Sequence, residues 1–143
     1  LGLVGPGVAL HVSETLNKNL GPRYKISPTM KRLVKEGVRT FYVKNEQGAN
    51  VVNPAALALL EKGSKVSTAD QVRRRALEAL AVEAKMMLDQ GVVSTPQEID
   101  ICMLLGSGWP MHLGGILPYL DREGISEAVC GARFHQKGVA SLP

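Results

Sequence analysis

Aromatic residues are scarce: Phe, Trp and Tyr make up 4% of the 143 residues, with a single Trp among them. Single-stranded nucleic acid is held largely by stacking its bases on aromatic faces, so such a partner finds almost no platform here. Positive charge does not compensate. The net charge is +4, but 17 Lys and Arg are interspersed with 13 acidic residues, and Arg73-Arg74-Arg75 is the one basic run. No nucleic-acid partner is expected. Cysteine is nearly absent as well. Cys102 and Cys130 lie far apart, in no CxxC and at no Cys/His ligand spacing, which argues against a disulfide framework and a zinc site. Reduced thiols in a cytoplasmic protein are the expectation. No apolar run approaches the ~20 residues that a membrane-spanning helix needs, and no signal peptide opens the chain. The chain starts LGLVGPG rather than with methionine, which reads as a segment beginning inside a larger protein.

Hydrophobic residues, at 45%, are plentiful enough for one compact domain or two small ones. Helix punctuation dominates their arrangement. From Gly7 to Leu20, Val8, Val12 and Leu16 recur at fourfold spacing, and Gly21-Pro22 can end the helix. Ser27-Pro28 opens a second helix with Met30, Leu33 and Val34 on one face and Gly37 to close it. Asn53-Pro54 opens a third that Gly63 would end. Between these, residues 38–45 (VRTFYVKN) read as extended, and the polar EQGAN after them as a linker.

The longest element starts at Thr68, whose spacing to Gln71 is that of a capping box, and runs without Gly or Pro to Gly91. Its inward stripe is predicted to be Val72, Ala76, Ala79, Leu80, Glu83, Met86 and Met87. Glu83, the charged exception, is expected to pair with a cation such as Arg75 or Arg122 at a helix interface. Thr95, Pro96 and Glu98 open another helix with Ile99, Met103 and Cys102 facing inward, and Glu98 and Asp100 are accounted for by the helix dipole. The pieces ILPYLDREG and SEAVCGARFHQKG read as two closing helices. A faint echo of LGLVGPGVAL in LDREGISEAV hints at an internal repeat.

The run GSGWPMHLGG, residues 106–115, invites comparison with a phosphate-cradling loop, but Met111 occupies the place of the third fingerprint glycine and a helix, not a strand, precedes it. A tight connection is the better reading, with Gly106 and Gly108 allowing positive φ, Gly114-Gly115 allowing close helix packing, and Trp109 and Pro110 pinning the loop. His112 could serve as a base. However, His11, His112 and His135 are widely separated and none has an acidic residue at a spacing that suggests a dyad. No serine lies in GxSxG, and the five methionines read as core filler. No catalytic, cofactor-binding or metal-ligating residue is assigned from these patterns.

The stretch TPQEIDICMLLGSGWPMHLGGILPYLDREG resembles the C-terminal domain of 3-hydroxyacyl-CoA dehydrogenases, with Ile99-Asp100, Gly106, Gly108, Pro110, Gly114 and Gly115 matching its ID and GxGxPxxxGG features. The segment RALEALAVEAKMMLDQG, containing Glu83, is similar to the helix that precedes them, and residues 1–45 are similar to the end of a first copy of that domain, as in the multifunctional alpha subunits of fatty-acid oxidation complexes. Met111-His112-Leu113 departs from the aromatic and arginine residues usual before the double glycine. The resemblance implies an all-α fold: a duplicated bundle of the 6-phosphogluconate dehydrogenase C-terminal-like type with its first copy truncated, residues 1–45 ending the first repeat and 46–143 forming the second. It also implies NAD bound by a domain absent from this chain, acyl-CoA as substrate of the full-length protein, an N-terminal NAD-binding domain as intramolecular partner, a homo-oligomer, and a thiolase subunit or hydratase domain as further associates. A helical module that recruits an acidic partner through Arg73-Arg74-Arg75 is the competing reading, although three consecutive helical positions point three ways.

Overall fold

The computed structural model describes residues 4–61, 63–64 and 66–139. The fold is predominantly helical: α1 (Gly5–Leu20), α2 (Pro28–Lys35), a hairpin of β1 (Tyr42–Lys44) and β2 (Asn50–Val52), α3 (Pro54–Ala58), α4 (Ala69–Asp89), α5 (Pro96–Gly106), a 3₁₀ turn (Met111–Leu113), α6 (Ile116–Arg122) and α7 (Ile125–Cys130). The helix starts follow the side-chain chemistry read above. Ser27 Oγ accepts from Met30 N, Asn53 Oδ1 from Ala55 N, and Thr68 and Gln71 exchange a reciprocal pair at 3.2 and 3.0 Å. Each bond satisfies an amide that no intrahelical carbonyl can reach.

The chain divides into two compact units, residues 1–65 and 66–143. The repeat boundary expected at 45/46 falls inside the hairpin of the first unit. EQGAN is a turn and not a linker: Asn45 N donates to Ala49 O, Asn45 Oδ1 accepts from Gln47 N and Ala49 N, and Gly48 takes φ +76°. Asn45 thereby substitutes its side chain for turn carbonyls. Strand β1 pairs antiparallel with β2, Tyr42 opposite Val52. In this first unit Leu33 and Ala56 are buried, whereas Val8, Val12 and Val34 are exposed, contrary to the stripes expected for α1 and α2. Helix α3 stops at Ala58, well before Gly63.

In the second unit α4 packs on α5, α6 and α7 around Leu77, Ala81, Ala84, Ile99, Ile116, Leu117, Leu120 and Ile125. The buried side of α4 is Leu77, Ala81 and Ala84; of the predicted stripe Met87 packs against the core, whereas Val72, Ala76, Ala79 and Leu80 are exposed. The helix has two faces of comparable apolarity, and the choice between them was made by α7, which packs against it. Ile99 is buried and Met103 lies against the core as expected, but Cys102 faces solvent. The described residues after Cys130 are not helical: Gly131 at φ +77° ends α7, and RFHQ continues as an irregular strap.

Candidate functional site

A buried polar arrangement in the second unit sits at the N-terminus of α6, where the GSGWPMHLGG run delivers the chain. Gly106 is the last residue of α5 in ordinary helical geometry, so only Gly108 of the first pair uses positive φ, at +71°. Trp109 then packs edge-on to Tyr119, ring centroids 5.5 Å apart, and the 3₁₀ turn carries the exposed His112 and Met111. Gly114 turns the backbone at φ +73°, and Gly115 stands as N-cap of α6.

Gly115 is required by what lies against it. A Cβ built there would sit 2.3 Å from Asp100 Cγ and 2.4 Å from its Oδ1, well inside van der Waals contact. That close approach lets Asp100, reaching across from α5, cap another helix: its Oδ1 accepts from Leu117 N at 2.8 Å. The carboxylate thus satisfies an amide at the start of α6 and puts negative charge at the positive end of its dipole. Asp100 does not serve its own helix start, as the sequence reading held. Glu98 does, accepting from Ser94 N at 2.7 Å.

The other oxygen of Asp100 lies 2.7 Å from His135 Nε2, with the two side chains 11% and 3% exposed. A histidine-carboxylate dyad therefore exists where none was expected, between residues 35 positions apart. Beside it, the buried Asp121 near the end of α6 accepts from Phe134 N at 3.0 Å and His135 N at 2.9 Å, and Arg133 donates to Asp121 O. Two buried carboxylates thus hold the strap against both ends of α6. The His135 side chain is 3% exposed, which leaves a reactant little access to either ring nitrogen, and the dyad's contacts orient a helix and a strap.

The remaining residues singled out from sequence are dispersed. Arg73 reaches the Tyr119 hydroxyl and Glu123, Arg74 pairs with Glu78, and Arg75 is exposed, so the three arginines form no single patch. Glu83 is half-buried. Burial pushes the Cys130 thiol above its ordinary range, making thiolate scarcer there than at an exposed cysteine. No cluster of three metal-ligating side chains occurs among the described residues. Nor do the residues fit a dinucleotide: α5 leads into the glycine-rich loop, Met111 blocks the fingerprint, and the strands described are an antiparallel hairpin in the other unit. No helix is long and apolar enough to cross a membrane among the described residues.

This arrangement of a helix with an Ile-Asp pair, a glycine-rich connection and a following helix can be compared across known proteins. A multifunctional protein of peroxisomal fatty acid beta-oxidation, AIM1 of Arabidopsis thaliana, is 28% identical over 139 residues, covering 85% of this chain and 19% of its own length. Fatty acid oxidation complex subunits alpha from Shewanella amazonensis and Shewanella putrefaciens are 28% and 29% identical over 141 and 137 residues, each match covering 88% of this chain and 19% of the relative. The chain is homologous to fatty acid oxidation complex alpha subunits. It spans about a fifth of the length of these relatives, and no family model matches it. Asp100 and Gly115, which were among the residues that carried the sequence resemblance to this group, turn out to be in contact. The resemblance was the signal that could have located the site. Nothing in the local pattern marked His135.

Proposed function

We propose that this chain is the C-terminal helical region of an NAD-dependent 3-hydroxyacyl-CoA dehydrogenase in a multifunctional protein of fatty-acid beta-oxidation, a protein that oxidises L-3-hydroxyacyl-CoA to 3-oxoacyl-CoA. The observation that carries the reading is the similarity over 85–88% of the chain to alpha subunits and multifunctional proteins five times its length. The site supports a structural part in that protein: Asp100, Gly115, Asp121 and His135 lock α5, α6 and the strap into one rigid body. Such a body can support a neighbouring NAD-binding domain and bring it to the acyl-CoA, while hydride transfer belongs to the cofactor. On this reading residues 1–45 end a first repeat, 46–143 form a second, the chain is inactive alone, and hydratase and thiolase activities belong to neighbouring domains or subunits.

The test is 3-hydroxyacyl-CoA-dependent NAD reduction, followed by absorbance, with this chain and with a longer protein that includes the preceding domains of its gene. Activity confined to the longer protein is expected. Its absence from both would overturn the proposal and return weight to a helical interaction module.

A further inference from the structure

Charge is divided unevenly between the two units. Residues 1–65 hold ten Lys and Arg against four acidic residues, a net charge of +6, whereas residues 66–143 hold seven against nine, a net charge of −2. The whole-chain value of +4 conceals this difference. In the basic unit Arg32 pairs with Glu61 at 3.0 Å. Lys18, Lys25, Lys31, Lys35, Arg39 and Lys44 are all exposed and have no ion pair among the described residues.

Helix α2 concentrates this charge. Leu33 is its buried residue, and at ~100° per residue Lys31 and Lys35 lie about 160° from it on either side, so they stand about 40° apart on the solvent face. Like charges four residues apart oppose the helix, and an anion lying over both relieves that repulsion. Lys25 precedes the Ser27 cap by two residues, and Val34, 39% exposed, borders the lysines. The acidic neighbour Glu36 lies about 100° round the helix from Lys35.

We infer that the outer face of α2 rests on an anionic phospholipid surface, with Lys25, Lys31 and Lys35 among the headgroups. Charge complementarity selects an anionic partner, and residue type selects its kind. Five of the six unpaired cations are lysines. Lysine carries a strongly hydrated charge on a flexible stem and is depleted at protein interfaces, where arginine is enriched. The face therefore suits a hydrated layer of negative charge better than a dry protein surface, and each lysine near an anionic leaflet adds about fivefold in affinity. Nucleic acid fits less well, because the aromatic residues of this unit are Tyr24, Phe41 and Tyr42, none of them on α2.

The test is sedimentation of the whole chain with phosphatidylcholine vesicles, with and without about one-third phosphatidylglycerol, at about 25 mM salt. Binding to the anionic vesicles alone is expected, and its loss at about 500 mM salt. Lys31→Glu with Lys35→Glu weakens it by about tenfold or more, whereas Lys31→Arg with Lys35→Arg, which keeps the charge, leaves it within about twofold. Arg75→Glu with Lys137→Glu lowers the net charge equally at exposed positions of the second unit and also leaves binding within about twofold. All four positions are exposed, so circular dichroism should show an unchanged helix content in every variant. No binding to anionic vesicles, equal binding to neutral ones, or equal weakening by the second-unit pair overturns the inference. So does binding of a duplex oligonucleotide at lower protein concentration than the vesicles require, which would make the face a nucleic-acid site.

Discussion

Gly115 shows how one missing side chain can position two present ones. Because its Cα lies where only a hydrogen fits, Asp100 reaches the first turn of α6 and then the imidazole of His135. Gly115→Ala is expected to destabilise the chain by about 2–3 kcal/mol, since the new methyl must push away a carboxylate whose two oxygens are committed. Urea unfolding of the two proteins measures it, and a loss below about 0.5 kcal/mol, the size of an ordinary surface substitution, would mean that Asp100 can move freely. Glycine's other use, left-handed backbone, accounts for Gly108 and Gly114 in the same run. The rest of the run is explained by packing, with Trp109 set against Tyr119.

Among the elements, α4 carries the most information and the sharpest ambiguity. Its boundaries were legible because a capping box is local: Thr68 and Gln71 interact over one turn whatever the rest of the chain does. Its inward face was not legible. Two apolar stripes run along it, and hydrophobic periodicity cannot say which one a later helix will cover. Leu77→Ala and Val72→Ala separate the two: the first should cost about 2–5 kcal/mol by opening a cavity among Ala81, Ile116 and Leu117. The second should stay within about 0.5 kcal/mol in dilute, monomeric protein. Chemical denaturation of both variants checks this, and a larger loss for Val72→Ala would reverse the assignment of faces. The hairpin of β1 and β2 was half legible, its first strand from Tyr42 and Val43 and its turn only once Asn45 was seen to bond Gln47 and Ala49.

At the scale of the whole molecule, the second unit contains a hydrophobic cluster of its own, running from Leu77 to Ile125 with Trp109, Leu113, Val129 and Phe134 packed against it. Residues 66–143 are therefore expected to unfold cooperatively when expressed alone, with coincident transitions by far-ultraviolet circular dichroism and Trp109 fluorescence. Non-coincident transitions would show that the division at Lys65 does not mark an independent folding unit. The proposed dehydrogenase role belongs to this scale too, because it needs domains that this chain does not contain.

The sequence by itself determined where helices begin, that the fold is mainly helical, and which proteins the chain is related to. Those properties are written in contacts of three or four residues and in motifs that can be read along a line. The tertiary structure alone decided which face of α4 is inside, that Cys102 is outside, and that Asp100 caps a helix other than its own. It also decided that His135, 35 residues further on, would complete the pair. The physical reason is the same in each case. A side chain's partner across a core is chosen by how whole elements pack, and packing is a property of surfaces that no single segment carries.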